Sequence, residues 1–143
     1  MSVFSDVKLV TAPRIPISDG GEVIRGLAID DDGYCGFGEA YLTKSPPGAV
    51  RAWKKHLRMT LNLTVVSGDV WFVFLNKSGV PEFAKISERN GVRLTVPPGL
   101  WFGFKNAGPE DSLILNVADI THDPDEMVRV DKNEISFDWE GLH

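Results

Sequence analysis

The sequence predicts an all-β, single-domain protein, and three observations carry that expectation. The chain holds 14 glycines and 9 prolines in 143 residues, spread along its length rather than gathered in a linker. Between them stand short runs rich in β-branched and aromatic residues at roughly 8–12-residue intervals, the pattern of a sandwich or barrel. Helical periodicity is scarce, and only Pro124–Arg129 is expected to form a helical turn.

The elements follow in order. Lys8–Thr11 reads as a strand ahead of the main body, the end of an extended stretch from Val3. Gly21–Ala28 and Tyr34–Thr43 flank the turn Asp30-Asp31-Asp32-Gly33, and Ala49–His56 follows Ser45-Pro46-Pro47-Gly48. In Met59–Ser67 the apolar Leu61, Leu63 and Val65 alternate with Asn62 and Thr64, as in a strand buried on one face. Asp69–Leu75 is different, because Val70 to Leu75 is apolar on both faces and predicts a strand covered twice. Glu82–Ser87, Gly91–Val96, Trp101–Asn106 and Ser112–Val117 are each bounded by turn residues, among them Asn90-Gly91 and Ala107-Gly108-Pro109. Glu134–Phe137 closes the series.

Composition bounds the function. Hydrophobic residues make up 43% and charged residues 24%, as in a globular domain. The longest wholly apolar run spans six residues, against the roughly 20 of a membrane helix, so no membrane partner is expected. The start, Met1 to Asp6, lacks a basic region followed by an apolar stretch, and cytoplasm is the expected location. The single Cys35 excludes an internal disulfide and a cysteine zinc cage. A net charge of −5 argues against nucleic acid as a partner. Yet Lys44 to Gly68 carries Lys44, Arg51, Lys54, Lys55, His56 and Arg58 and no acid, whereas Asp119 to Glu140 carries eight acids. One cationic stretch in an acidic protein suits a small anionic ligand, or is simply a solvated basic face.

Two spacings are more specific. Gly48 is followed by five residues, Lys54-Lys55-His56, four residues, Leu61, six residues and Gly68. Gly91 is followed by five residues, Pro97-Pro98-Gly99, two residues, Phe102, three residues and Asn106. Together these resemble the paired signatures of the cupin superfamily, which implies a double-stranded β-helix, a jelly-roll barrel, over residues 1–143. The metal-binding cupins draw three His and one Glu from positions that read Lys54, His56, Leu61 and Phe102 here. An ammonium at a ligand position repels a cation and one imidazole holds a metal weakly, so no metal and no other cofactor is expected.

Further segments resemble one branch, the dTDP-4-dehydrorhamnose 3,5-epimerases and the related dTDP-hexulose 3,4-ketoisomerases. They are Pro47 to Trp53, Ser67 to Val73, Val96 to Phe104, Asn116 to Asp119 with Asp123-Pro124-Asp125-Glu126, and Ile135 to Trp139. The resemblance implies proton transfer on a carbon beside a ketone of a nucleotide sugar, in polysaccharide or deoxysugar synthesis, and a homodimer with N-terminal strands exchanged or paired. The alternative is a cupin that binds a nucleotide sugar or other small anion without turning it over. The epimerase base, lysine and tyrosine positions read Lys54, Leu61 and Ile120 or Thr121, whereas the second His of the ketoisomerase pair is kept as His56.

His56 is the first candidate base, since imidazole titrates near neutrality; the plain reading is a buried His satisfied by a carbonyl or carboxylate. Lys54, on the same strand face, is placed to hold an enolate oxygen or a phosphate, to act as a base, or to pair with Glu39. The resemblance makes Arg51 the pyrophosphate contact, and its planar fork suits that; otherwise it forms a surface ion pair. Glu39 and Tyr41 share a face and are candidates to orient His56 or to supply the acid. Lys55 and Asn116 complete the expected substrate contacts with Trp101, Asp119 and Trp71, the tryptophans equally suited to core packing and Asp119 to a strand-end turn.

Overall fold

The computed structural model describes residues 3–143; Met1 and Ser2, with which the expected domain and the N-terminal reading begin, lie outside the described residues. Among the described residues twelve strands form: β1 (Lys8–Thr11), β2 (Arg14–Pro16), β3 (Glu22–Ile24), β4 (Glu39–Ser45), β5 (Val50–His56), β6 (Leu61–Ser67), β7 (Asp69–Leu75), β8 (Pro81–Ser87), β9 (Val92–Val96), β10 (Phe102–Asn106), β11 (Ser112–Ala118) and β12 (Met127–Arg129). Two antiparallel five-stranded sheets, β1-β9-β6-β11-β4 and β12-β5-β10-β7-β8, face each other, and β2 pairs with β3 as a separate hairpin. This is the expected all-β jelly-roll barrel in a single domain. No helix among the described residues is long and apolar enough to cross a membrane.

The core forms where the inward alternate residues of the two sheets meet. Leu61, Leu63 and Val65 of β6 pack with Leu94, Val96 and Ile114 against Phe72, Phe74, Phe102 and Phe104. The strand apolar on both sides behaves as its sequence requires. Val70, Phe72 and Phe74 enter this core, while Val73, equally buried, enters a second cluster on the other face with Trp53, Trp139 and Leu142. That second cluster is roofed by the C-terminal segment. Trp53 donates its indole N–H to the carbonyls of Lys132 and Ile135, and Lys105 reaches those of Trp139 and Leu142.

Four expectations change. Glu134–Phe137 is not a strand, because its apolar residues drop onto Trp53 and need no ladder to bury themselves. Within Gly21–Ala28 only Glu22–Ile24 is extended, paired with an Arg14–Pro16 strand that the flanking prolines hid. Tyr34–Thr43 begins as a strand only at Glu39, since the preceding loop lies over the outer face of the first sheet. There Arg93 and Asn62 hold the loop carbonyls of Asp32 and Gly33. Pro124–Arg129 divides into a 3₁₀ turn, Pro124–Glu126, and β12. The N-terminal strand β1 pairs with β9 of its own chain.

Signature residues act through the backbone. Gly99, with φ of +93°, closes the Pro-Pro-Gly turn before β10, a conformation that L side chains rarely adopt. Asn106 is 1% exposed; its amide donates to the carbonyls of Ser45 and Glu110, and its side-chain oxygen accepts from the Gly108 N–H. Asn106→Ala would strand these groups, so we expect a loss of about 2–3 kcal/mol of stability. Urea unfolding measures it, and an unchanged midpoint would contradict this account.

Candidate active site

A cleft of about 550 Å³ opens where the edge strand of one sheet, β4, stands opposite β5 and β12 of the other. A single irregularity on β5 sets its chemistry. The register between β5 and β10 pairs Lys54 with Phe102 but Ala52 with Gly103, which leaves Trp53 as an extra residue. The bulge turns Trp53 out to the second cluster and lets Arg51 and Lys54, three residues apart, both line the cleft with His56. Gly103 permits it, because a Cβ there would stand 2.6 Å from that of Ala52. Beside β5, β12 matches Met127 to His56 and Arg129 to Lys54, and the same two residues reach the cleft. Glu39, Tyr41 and Thr43 of β4 form the opposite wall.

His56 is 4% exposed, and its Nδ1 lies 2.5 Å from Oε1 of Glu126, itself 3% exposed. The other oxygen of Glu126 accepts the backbone N–H groups of Arg58 and Met59. His56 Nε2 has no hydrogen-bond partner among the described residues. Burial pushes the imidazole below its ordinary value; Glu126 pulls upward but does not overcome it. Burial works to raise Glu126, yet the bonds from His56, Met59 and Arg58 outweigh it and hold the carboxyl low. His56 is therefore neutral near pH 7 and held at Nδ1, with Nε2 buried and without a partner among the described residues.

Lys54 lies 5.6 Å over the Phe102 ring, and no carboxylate pairs with it among the described residues. Burial, then Arg129 and Arg51, bring its ammonium down to about 8 against a smaller pull from Glu126. Its expected rival partner Glu39 instead accepts the backbone N–H of His122. Arg51 is exposed at the mouth, donating to Ser45 Oγ at 3.1 Å. Tyr41 is half-buried. Burial chiefly, with the charges of Glu39 and Glu126, raises its phenol above the ordinary 10, against the pull of Asn116 and Arg129. Asn116, paired in register with Tyr41, lines a small recess beside the cleft together with Tyr41 and Lys54.

Four expected contacts are not brought here. Strand alternation sends Lys55 to the opposite face, where its ammonium lies 4.9 Å over Trp101, and Trp101 packs against the second cluster. Trp71 likewise faces outward and donates to the His143 carbonyl. Asp119 accepts the Thr60 N–H, the strand-end role. Sequence reasoning missed Glu126, Arg129, Met127 and His122. The first had a signal, since Asp123-Pro124-Asp125-Glu126 carried part of the resemblance without any role being assigned to it.

No family model matches the chain. Among curated proteins it is 30% identical over 111 residues, 70% of this chain and 71% of the relative, to "Probable low-salt glycan biosynthesis epimerase Agl13" of Haloferax volcanii. A dTDP sugar isomerase from Desulfovibrio desulfuricans G20 is 31% identical and superposes with a TM-score of 0.88, covering 99% of this chain and 95% of that one. A histidine-to-asparagine mutant of the 3,4-ketoisomerase QdtA of Thermoanaerobacterium thermosaccharolyticum, solved with TDP-4-keto-6-deoxyglucose, shares the fold at 15% identity, a TM-score of 0.75 and 89% coverage of each chain. The chain belongs to the cupin family of dTDP-sugar epimerases and isomerases.

Two outcomes follow from the His56–Glu126 pair. Glu126→Gln removes the charge that pulls His56 upward, so the imidazole should titrate at still lower pH, as read by NMR of its ring protons; an upward shift contradicts the pairing. Stability should also fall with acid. Both groups have lowered values, so the unfolded chain takes up protons first, His56 below its ordinary 6.5 and Glu126 below 4.5. Urea midpoints should therefore fall once the pH drops below the ordinary histidine value of 6.5, and fall further below the ordinary carboxyl value of 4.5 through the native carboxyl's own titration.

Proposed function

We propose that the chain is a sugar-nucleotide epimerase or ketoisomerase acting on a dTDP-4-keto-6-deoxyhexose by metal-free proton transfer beside the ketone. One observation carries the reading: a buried imidazole held at Nδ1 by a carboxylate, its Nε2 unpartnered, in the wall of a cleft lined with cations. The family placement and the keto-sugar nucleotide bound by QdtA support the substrate class. The former metal-ligand positions, Lys54, Leu61 and Phe102, offer no donor set for a cation.

In this reading His56 Nε2 takes the proton from the carbon next to the ketone, and Glu126 steadies the imidazolium that forms. Tyr41, kept protonated on the facing strand, returns a proton from the other side. Lys54 faces the ketone, and Arg51 with Arg129 meets the pyrophosphate at the mouth, where planar guanidiniums grip phosphate oxygens. Glu39 orients the β4 wall through His122, and Asn116 steadies Tyr41. The N-terminal strand, at the edge of its sheet, is the natural place for pairing in a homodimer.

Incubation with dTDP-4-keto-6-deoxyglucose in D₂O should place solvent deuterium at C3 or C5. His56→Asn should slow that uptake by about 10²–10⁴-fold, the usual worth of a general base. Binding without any uptake would leave a nucleotide-sugar binder instead. Arg51→Ala should weaken binding by about 1.5–3 kcal/mol in calorimetry with the fold intact, the scale of a charged hydrogen bond. Loss of folding rather than affinity would make Arg51 a structural cation.

A further inference from the structure

We propose that Lys54 is a covalent catalyst, joining the C4 ketone of the substrate as a protonated imine before His56 removes the neighbouring proton. The inference rests on the reading above and specifies how Lys54 acts in it.

The surroundings of Lys54 are those of an amine kept reactive rather than paired. Its ammonium lies over the Phe102 ring, its strand neighbours on the cleft side are Arg51 and Arg129, and no carboxylate forms an ion pair with it among the described residues. Both oxygens of Glu126 are bonded to His56, Arg58 and Met59, and Glu39 accepts the His122 N–H through one oxygen. Tyr41 is the remaining titratable group facing it from β4. A lysine meant only to supply charge gains by having a carboxylate or water-rich setting that keeps its proton; this one is desolvated among cations, and part of it is neutral near pH 7.5. His56, two residues along on β5, lines the same cleft as Lys54.

The step balances without any oxidant or reductant. The Nζ lone pair adds to C4, the carbonyl electron pair moves to oxygen, and that oxygen takes a proton. Its departure as water, after a second protonation, leaves a protonated imine. The C–H bond pair at C3 or C5 then forms a carbon–carbon double bond as the proton goes to His56 Nε2, and the C=N pair moves to nitrogen. Protonation at carbon and addition of water reverse the sequence and free the amine.

Sodium cyanoborohydride traps such an imine. With wild-type protein and dTDP-4-keto-6-deoxyglucose we expect one sugar nucleotide attached per chain, mapped by peptide mass spectrometry to Lys54 and absent from Lys54→Arg, which keeps the charge but not the nucleophile. Deuterium uptake by Lys54→Arg should fall at least 100-fold. Because kcat/KM reports the free enzyme, it should rise through about pH 8 as the amine deprotonates. Wild-type deuterium uptake without an adduct overturns this inference and leaves the proposed function standing. Adducts scattered over surface lysines, or a kcat/KM that falls above about pH 8, overturn it as well. Neither adduct nor uptake overturns both.

Discussion

Burying a carboxylate is expensive unless donors surround it, and the side chain of Glu126 meets that condition with three. His56 at the end of β5, and the N–H groups of Arg58 and Met59 in the turn that follows, all converge on it. An isolated buried charge costs several kcal/mol, whereas each hydrogen bond to a charged group returns about 1.5–3 kcal/mol. The turn that delivers Glu126 is itself held. Asp123 caps it through the Asp125 N–H and pairs with Arg58 at 2.7 Å. One carboxylate thus ties β5, the turn into β6 and the start of β12 together. The tautomer of the imidazole and the position of the cleft wall are set by the same contact.

The second determinant is the extra residue at Trp53. In a regular strand Arg51 and Lys54 would face opposite sides, and only one could reach the cleft. The bulge spends Trp53 on the outer cluster, where Trp139 and Phe137 pack around it, and recovers the inward phase for Lys54 and His56. The C-terminal segment therefore supports the site from behind the sheet without lining it. This explains why a region with no strand of its own still ends in buried Trp139 and Leu142.

The barrel was legible because its evidence is local. Alternation in Leu61, Leu63 and Val65, the doubly apolar Val70 to Leu75, and turn glycines at fixed spacing each report on their own neighbourhood. Glu39 and Tyr41 on β4, and Lys54 and His56 on β5, line the cleft as strand alternation predicts, whereas Arg51 was drawn from the resemblance and reaches the cleft only through the bulge. Glu126 and Arg129 were not, because their roles depend on a pairing between residues some seventy positions apart, His56 with Glu126, that no local pattern encodes. Lys55 and Trp101 failed in the opposite sense. Composition grouped Lys55 with the cationic stretch, but strand alternation separates it from Lys54.

Charge and depth together explain how an acidic chain holds a cationic cleft. Arg51 and Arg129 stay exposed, where water screens their mutual repulsion. Lys54, deeper in the cleft, releases its proton more readily because of its burial first, and then because of Arg129 and Arg51. Fixed charge therefore sits at the mouth and adjustable charge within, on the wall that also carries a neutral imidazole. An extended polyanion would need its cations spread along an open surface. A ligand with its phosphates at one end and an uncharged, polarisable carbonyl at the other matches this gradient in both sign and depth.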